Sequence, residues 1–371
     1  MNIGIDIRPA LEEPAGIGKL VFNLTRSLAS LDSMNSYVLY SRTPLTFSVA
    51  NPRFRTVTRN FGNSVPGRLA WQLYMIYHAR RVARLDLLVS AAALAPAVLT
   101  RDFVFLIVAD LTNVLLASHH AWRTKLSGAY LLRRALSRAR HIVAISRNTR
   151  SDILKFAHGG IPEAKVTVAY ISCEDRFKRK QTDLGPVVRK YGLQNPFVLS
   201  VGTIEPRKNY VRLIRAFERI AGERSGLDLV IAGRKGWRWG DVIRAAEESR
   251  FAPRIRILEF VPTDDLPSLY AGAAVFAYPS LYEGFGIPPL EAMAIGVPVV
   301  CSKSSSLPEV VGEAALCVDP MSVDEICSGI LRLLDDATFR KTMVRAGQAR
   351  AAMFSWDSFA REILQSFEAS R

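Results

Sequence analysis

The chain has 371 residues, of which 49% are hydrophobic and 22% charged; this excludes extensive disorder and leaves room for two domains of ordinary size. The net charge of +15 is uneven: residues 1–185 carry 26 Lys+Arg against 12 Asp+Glu, and residues 186–371 carry 23 against 22. A basic half joined to a neutral half predicts an anionic partner for the first half: nucleic acid, an anionic membrane surface or a phosphate-bearing substrate. Cys173, Cys301, Cys317 and Cys327 show neither C-x-x-C spacing nor a histidine pattern. They read as small buried residues in a reducing compartment, with no disulfide framework or metal site. Met1 to Arg8 runs straight into a strand-like alternation without a basic leader, so no secretion signal is expected. The longest uncharged stretch, Leu266 to Tyr282, is broken by Pro267, Gly272 and Pro279, and a membrane span needs about 20 mostly apolar residues.

In chain order, Ile3–Ile7 predicts a strand, Gly16-Ile-Gly18 a glycine turn, and Lys19–Leu31 a helix. Strands follow at Tyr37–Tyr40, Leu85–Val89, Phe103–Val108 and His141–Ile145, with helices over 69–84, about 121–139, and Arg147 to about His158. Phe103–Val108 is a continuous apolar run, as expected of a strand buried on both faces, and Ser146 is placed to cap the helix after it. A polar, breaker-rich connection near Phe177–Asn195 marks a boundary. The pattern then restarts, with strands at Phe197–Val201, Leu227–Ala232, Ile255–Leu258, Ala274–Tyr278, Val297–Val300 and Ala315–Val318. Helices are predicted at Val211–Gly222, Trp239–Glu248, Asp265–Ala271, about 322–335, 337–351 and from 357 onward. Strands alternating with helices in both halves predict two doubly wound parallel sheets, with the gap between the domains as the ligand cleft. The predicted domains are residues 1–185 and 186–354, with a C-terminal helix of about 355–371 joining the first.

Three predicted strand ends of the second half carry chemistry. Gly202-Thr-Ile-Glu-Pro-Arg-Lys-Asn209 sets Arg207 and Lys208 on a strand–helix loop, where cations and a helix start would hold phosphate; taken alone, such a pair is more often a solvated basic turn. Ile231-Ala-Gly233-Arg-Lys-Gly236 is a second glycine-basic loop. Glu283-Gly-Phe-Gly-Ile-Pro-Pro-Leu-Glu291 places one carboxylate on a loop and another in the first turn of a helix. Glycines there let backbone N–H groups approach a ligand closely. Cations for phosphate and carboxylates for hydroxyls describe a site for a sugar, a diphosphate and a ribose.

These motifs resemble the retaining nucleotide-sugar glycosyltransferases of the GT-B fold, specifically glycosyltransferase family 4. The resemblance rests on Val201-Gly202-Thr203, Pro206-Arg207-Lys208-Asn209, Ala232-Gly233, Tyr278-Pro279-Ser280, Glu283-x-Phe285-Gly286-Ile287, Glu291-Ala292, Gly296–Val300, Leu307–Val310 and Asp319-Pro320. It covers nearly the whole chain, from Gly16-Ile-Gly18 to Phe354-Ser-Trp356. The resemblance implies a GT-B architecture of two Rossmann-like domains facing a central cleft, with the last helix crossing back to the first domain. It also implies that Lys208 and Arg207 neutralise the donor diphosphate, that Glu283 faces the donor sugar, and that N–H groups of Phe285, Gly286 and Ile287 meet sugar hydroxyls or phosphate. Glu291 would take the ribose hydroxyls, Gly16 and Gly18 would let a first-half loop close over the diphosphate, and no metal cofactor would be needed because protein cations do that work.

Two departures bear on activity. Many members read His-Asp after the strand matching 103–108; here the pair is Ala109-Asp110, which leaves Asp110 as a catalytic candidate and His119 or His120 as stand-ins for the histidine. An arginine often found directly after Val-Gly is Thr203 here, with Arg207 as its replacement and Thr203 and Gly233 as donor-binding candidates. The resemblance implies transfer from a GDP- or UDP-linked sugar, mannose among the candidates, to a glycan or polyprenyl-linked saccharide in cell-surface polysaccharide or lipopolysaccharide assembly. A cytoplasmic protein, peripheral on an anionic membrane through a basic helix containing Trp122, Arg123, Lys125, Tyr130, Leu131, Leu132, Arg133, Arg134, Arg138 and Arg140, would fit that role. The alternatives are transfer to a small soluble acceptor and a non-catalytic sugar-nucleotide-binding subunit. Nucleic-acid binding has no accompanying motif.

Overall fold

The computed structural model describes residues 1–12, 16–62, 64–91, 93–112, 122–179 and 184–370, with backbone alone at 122–127. The chain divides into two units, Met1–Ile171 with Ser355–Arg371, and Ser172–Phe354.

The first unit is built on β1 (Asn2–Asp6), β2 (Ser36–Ser41), β3 (Phe54–Thr58), β4 (Leu87–Ser90), β5 (Val104–Val108), β6 (His141–Ala144) and β7 (Val166–Val168). Their order is β3-β2-β1-β4-β5-β6-β7, and every pairing is parallel. Strands β4, β5 and β6 are buried along their whole length, which is why they read as apolar runs without alternation. Sequence patterning misses β3 and β7. β3 is an edge strand with polar, largely exposed residues, and β7 has only three residues. Ser146 caps the helix Arg147–Ala157 by accepting from Thr149 N at 3.0 Å.

The second unit holds β8 (Phe197–Val201), β9 (Asp228–Ala232), β10 (Ile255–Leu258), β11 (Val275–Tyr278), β12 (Val299–Ser302) and β13 (Leu316–Val318). The order is β10-β9-β8-β11-β12-β13, again wholly parallel. Winding therefore reverses between β8 and β11, and in open parallel sheets ligands bind at such a reversal, beyond the carboxyl ends of the strands.

The boundary lies earlier than the predicted 185/186. Ser172 Oγ donates to Phe354 O at 3.0 Å, Lys178 Nζ donates to the same carbonyl at 3.3 Å, and fully buried Phe177 stands edge-on to Tyr270 at 5.7 Å. These contacts tie residues 172–178 to the second unit, although their polar composition resembles a linker. The last helix, Trp356–Ala369, belongs to the first unit: Phe367 packs edge-on to Phe105 at 4.8 Å, and Arg140 Nε donates to Ser370 O at 2.8 Å. The cysteines are not uniformly buried. Cys173 and Cys301 are, but Cys317 is exposed and Cys327 half-buried, because both lie toward the outside of the unit, on the last strand and on the helix Val323–Asp335.

Candidate active site

Three loops converge at the carboxyl ends of β8, β11 and β12. After β8, the chain makes a short turn at Pro206–Lys208, and Asn209 takes a left-handed conformation (φ 63°) before the helix Tyr210–Glu223. Asn209 is suited to this, since its short amide tolerates the conformation and bonds locally. Its Nδ2 donates to Pro279 O at 3.0 Å and Pro320 O at 2.6 Å, which locks the first loop to the second. Leu281 N donates to Arg207 O at 2.8 Å. The third loop reaches in through Ser305 and Ser306. Ser305 Oγ accepts from Glu283 N at 2.9 Å, and Ser306 Oγ donates to the carbonyls of Glu283 and Phe285, each at 2.9 Å.

Glu283 is the centre of this arrangement. Its Oε1 accepts from Lys208 Nζ at 2.7 Å, Ser280 Oγ at 2.6 Å and Tyr278 OH at 3.0 Å, while Oε2 pairs with Arg207 Nη1 at 2.9 Å. Lys208 Nζ also donates to Tyr278 OH at 2.5 Å. Arg207 spans two carboxylates, with Nε and Nη2 on Glu205 Oε1 at 3.0 and 2.7 Å, and Nη1 also donates to Tyr282 O at 2.7 Å. Glu283 and Lys208 are each only 7% exposed. Burial by itself would raise the Glu283 carboxyl, but the charges of Lys208 and Arg207, with hydrogen bonds from Lys208 and Ser280, outweigh it and hold the group down at about 2. Burial pulls the Lys208 ammonium below its ordinary value, offset in part by Glu283. Arg207 is held above its ordinary value because the charge of Glu283, with smaller help from Tyr278 and Glu205, overcomes the cost of burial. Two cations and two carboxylates leave no excess charge. What the cluster offers a ligand is a set of donors fixed in place before it arrives, the arrangement that costs least to reorganise. Lys208 uses two of its three N–H donors on partners among the described residues, so a buried ammonium retains one for a ligand.

Beyond Glu283, Gly286 has φ 110°, and a Cβ there would lie 2.5 Å from Leu307 Cδ2, so only glycine permits this entry to the helix Ile287–Ile295. Pro288 and Pro289 fill the first turn and lack N–H groups, so an anion at this helix start would meet only the amides before them. Glu291 lies in the second turn, not the first as the sequence pattern suggested, because the helix begins at Ile287. It is buried, and its Oε2 accepts from Tyr270 OH at 2.9 Å. Gly233 answers to its neighbour: a Cβ would sit 1.9 Å from Gly202 O, and the loop bridges Ile204 to Lys235. Thr203 lies on the first of these loops and is exposed.

The structure thus brings Lys208, Arg207 and Glu283 into direct contact, with Thr203, Gly233, Phe285, Gly286 and Ile287 on the same or adjoining loops and Glu291 one turn further on. Gly16, Gly18 and Asp110 belong to the first unit. Gly16 is an exposed helix cap (φ 52°), and Gly18 is buried within the helix Ile17–Leu31. Asp110 is exposed beyond β5, where its Oδ1 accepts from Thr112 N at 2.9 Å. His119 and His120 lie outside the described residues. Sequence reasoning missed the parts played by Tyr278, Ser280, Ser305 and Ser306. The run Ser302-Lys-Ser-Ser-Ser306 after a strand was the available signal, but it reads equally well as an ordinary polar turn.

Two parallel-sheet Rossmann-like units define the GT-B fold class. Residues 188–350 match the family described as "Glycosyl transferases group 1", and the second unit belongs to that family. Among similar proteins, O-antigen chain mannosyltransferase B of Escherichia coli is 38% identical over 240 residues, which span 64% of this chain and 62% of that protein's length. A GDP-mannose-dependent alpha-(1-6)-phosphatidylinositol monomannoside mannosyltransferase of Mycobacterium tuberculosis is 32% identical over 201 residues, 51% of this chain and 52% of that one. Sucrose-phosphate synthase from Thermosynechococcus elongatus shares the fold over 100% of this chain and 98% of its own, with a TM-score of 0.80 at 18% identity.

Proposed function

We propose that the chain is a retaining glycosyltransferase that moves a sugar from a nucleoside-diphosphate donor to a glycan or lipid-linked saccharide in cell-surface polysaccharide assembly. The observation that carries this reading is the buried Lys208 ammonium, with one donor left over, at the winding reversal of a group 1 glycosyltransferase domain. Mannose is the favoured sugar and GDP the favoured carrier, because both relatives described above are named for mannosyl transfer and one is named for GDP-mannose.

In this reading Lys208 and Arg207 donate hydrogen bonds to the diphosphate as the bond from sugar C1 to phosphate oxygen breaks. The acceptor hydroxyl forms the new bond to C1 on the same face, and its proton passes to the leaving diphosphate. Glu283 holds both cations in place. Its Oε2, which pairs with Arg207, is the oxygen assigned to a sugar hydroxyl. Glu291 takes the ribose, and amides of Phe285, Gly286 and Ile287 meet the donor. Donors fixed in place then stabilise the developing charge without a resident metal.

The test is transfer from GDP-mannose, GDP-fucose, UDP-glucose and UDP-galactose to saccharide acceptors, with the anomeric configuration of the product read by NMR and a parallel reaction in chelator. Retained configuration and an unchanged rate in chelator are expected. An inverted product, or turnover abolished by chelator and restored by a divalent cation, would refute the mechanism.

A further inference from the structure

The helix Val65–Tyr77 of the first unit is apolar on two opposite sides. One side, Gly67, Trp71, Met75 and then Ala79, is buried in the core. On the other, Val65 is 70% exposed, Leu69 51%, Leu73 48% and Tyr77 61%. Residues four apart line one ridge of a helix, and positions 69 and 71 lie about 200° apart around the axis, so the two sets face opposite ways. Core packing accounts for the first set and leaves the second unexplained. A contiguous exposed apolar ridge on a globular unit marks a contact surface.

The charge around the ridge identifies the contact. Between Asp32 and Asp86 the chain contains no acidic residue. Arg68 lies on the helix itself, and Arg80, Arg81 and Arg84 follow at its end, all exposed. Arg59 lies over the Tyr74 ring at 5.9 Å and Phe61 packs on the same ring at 5.7 Å, which makes the segment after edge strand β3 continuous with the ridge. Large apolar side chains between arginines, without carboxylates, suit a helix lying in the headgroup layer of an anionic bilayer.

The predicted basic helix is used in part within its own unit, although Tyr130 and Leu131 on it are also exposed, at 63% and 43%. In Trp122–Arg138, Leu132, Ala135 and Leu136 are buried, Arg133 Nε donates to Phe156 O at 3.2 Å, and Arg138 Nε donates to Thr100 O at 3.1 Å. Among the described residues, no helix is long and apolar enough to cross a membrane.

We infer that the ridge Val65–Leu69–Leu73–Tyr77, with Arg68, Arg81 and Arg84, docks the first unit on an anionic lipid surface. This inference does not rest on the transferase reading: Lys208→Ala is expected to bind vesicles as the parent does, whatever happens to turnover. The test is co-sedimentation of the full chain with vesicles of phosphatidylglycerol and phosphatidylcholine, or of phosphatidylcholine alone, across a salt series. Binding to the anionic vesicles that weakens as salt rises is expected. Leu69→Ser with Leu73→Ser should weaken it about tenfold or more, and Arg81→Ser with Arg84→Ser about 30-fold at low salt. Arg133→Ser with Arg134→Ser should leave it nearly intact. Three results would each overturn the inference: equal or no binding to the two vesicle types at low salt, loss of binding in the Arg133/Arg134 variant alone, or a dimer in sedimentation that the Leu69/Leu73 variant dissolves while vesicles stay unbound.

Discussion

At the scale of single residues, burial and partners together decide what a charged group does. Glu283 and Asp6 are both buried carboxylates at the carboxyl end of a parallel strand, yet they titrate in opposite directions. Glu283 has two cations and two hydroxyls, and is held at about 2. Its contribution to stability is therefore present above the ordinary carboxylate range and is lost as the pH falls toward that value. Asp6, the last residue of β1, has Arg8 as its partner among the described residues, through the Arg8 amide at 3.2 Å and Nη2 at 3.4 Å, and burial lifts it to about 6. A raised carboxyl pKa means that the folded chain is most favoured with Asp6 protonated, and that stability is lost as the pH rises from about 4 through about 6. Asp6→Asn should remove that dependence. The variant's stability relative to the parent should improve by up to about 3 kcal/mol between pH 4 and pH 7, measured by urea unfolding at each pH; a difference that stays flat with pH would contradict the assignment. The sequence named Glu283, Lys208 and Arg207 because their loops follow strands. It did not disclose that Tyr278 OH and Ser280 Oγ complete the carboxylate's shell, since a tyrosine in an apolar strand reads as core until the neighbouring strand is in place.

At the scale of elements, most strands and helices were legible because parallel strands buried on both faces are unbroken apolar runs, and the helices between them carry their apolar residues at helical spacing. The exceptions have physical reasons: exposed β3 lacks an apolar face, three-residue β7 is too short to show a period, and the Ser302–Ser306 run has ordinary turn composition. The helix over 69–84 was legible, but its second apolar side was not, because spacing alone does not tell which ridge the core takes. Loop spacing depends on glycines whose reasons differ. At Gly233 the constraint is contact between backbones, with Gly202 O occupying the space of a Cβ at 1.9 Å. Gly233→Ala should push apart the loops after β8 and β9 and destabilise the second unit by roughly 2–4 kcal/mol, read as a fall in its melting temperature. An unchanged melting temperature would mean that the two loops separate at no cost and that their spacing is not fixed.

At the scale of the whole molecule, two parallel-sheet units share the chain, and the terminal helix Trp356–Ala369 returns to the first by burying Trp356, Phe359, Ile363 and Phe367. The unequal charge was plain in the sequence, while its arrangement was not. Arg133, Arg138 and Arg140 of the predicted basic stretch bond to carbonyls of their own unit, and the acid-free stretch before Asp86 borders the exposed ridge. The second unit, in the group 1 family, carries a preformed cluster in which two carboxylates hold two cations at the winding reversal. The central claim is that this cluster binds and activates a nucleotide-sugar donor. Its most direct test is donor turnover, with binding of the nucleoside diphosphate measured alongside, for the parent chain, Lys208→Ala and Glu283→Gln. The account predicts that the parent binds GDP or UDP and turns over the matching sugar donor, and that both variants remain folded but lose turnover by about 100-fold or more, with Lys208→Ala also losing diphosphate affinity. Near-parental turnover in either variant, or a parent that binds no nucleoside diphosphate, would contradict it.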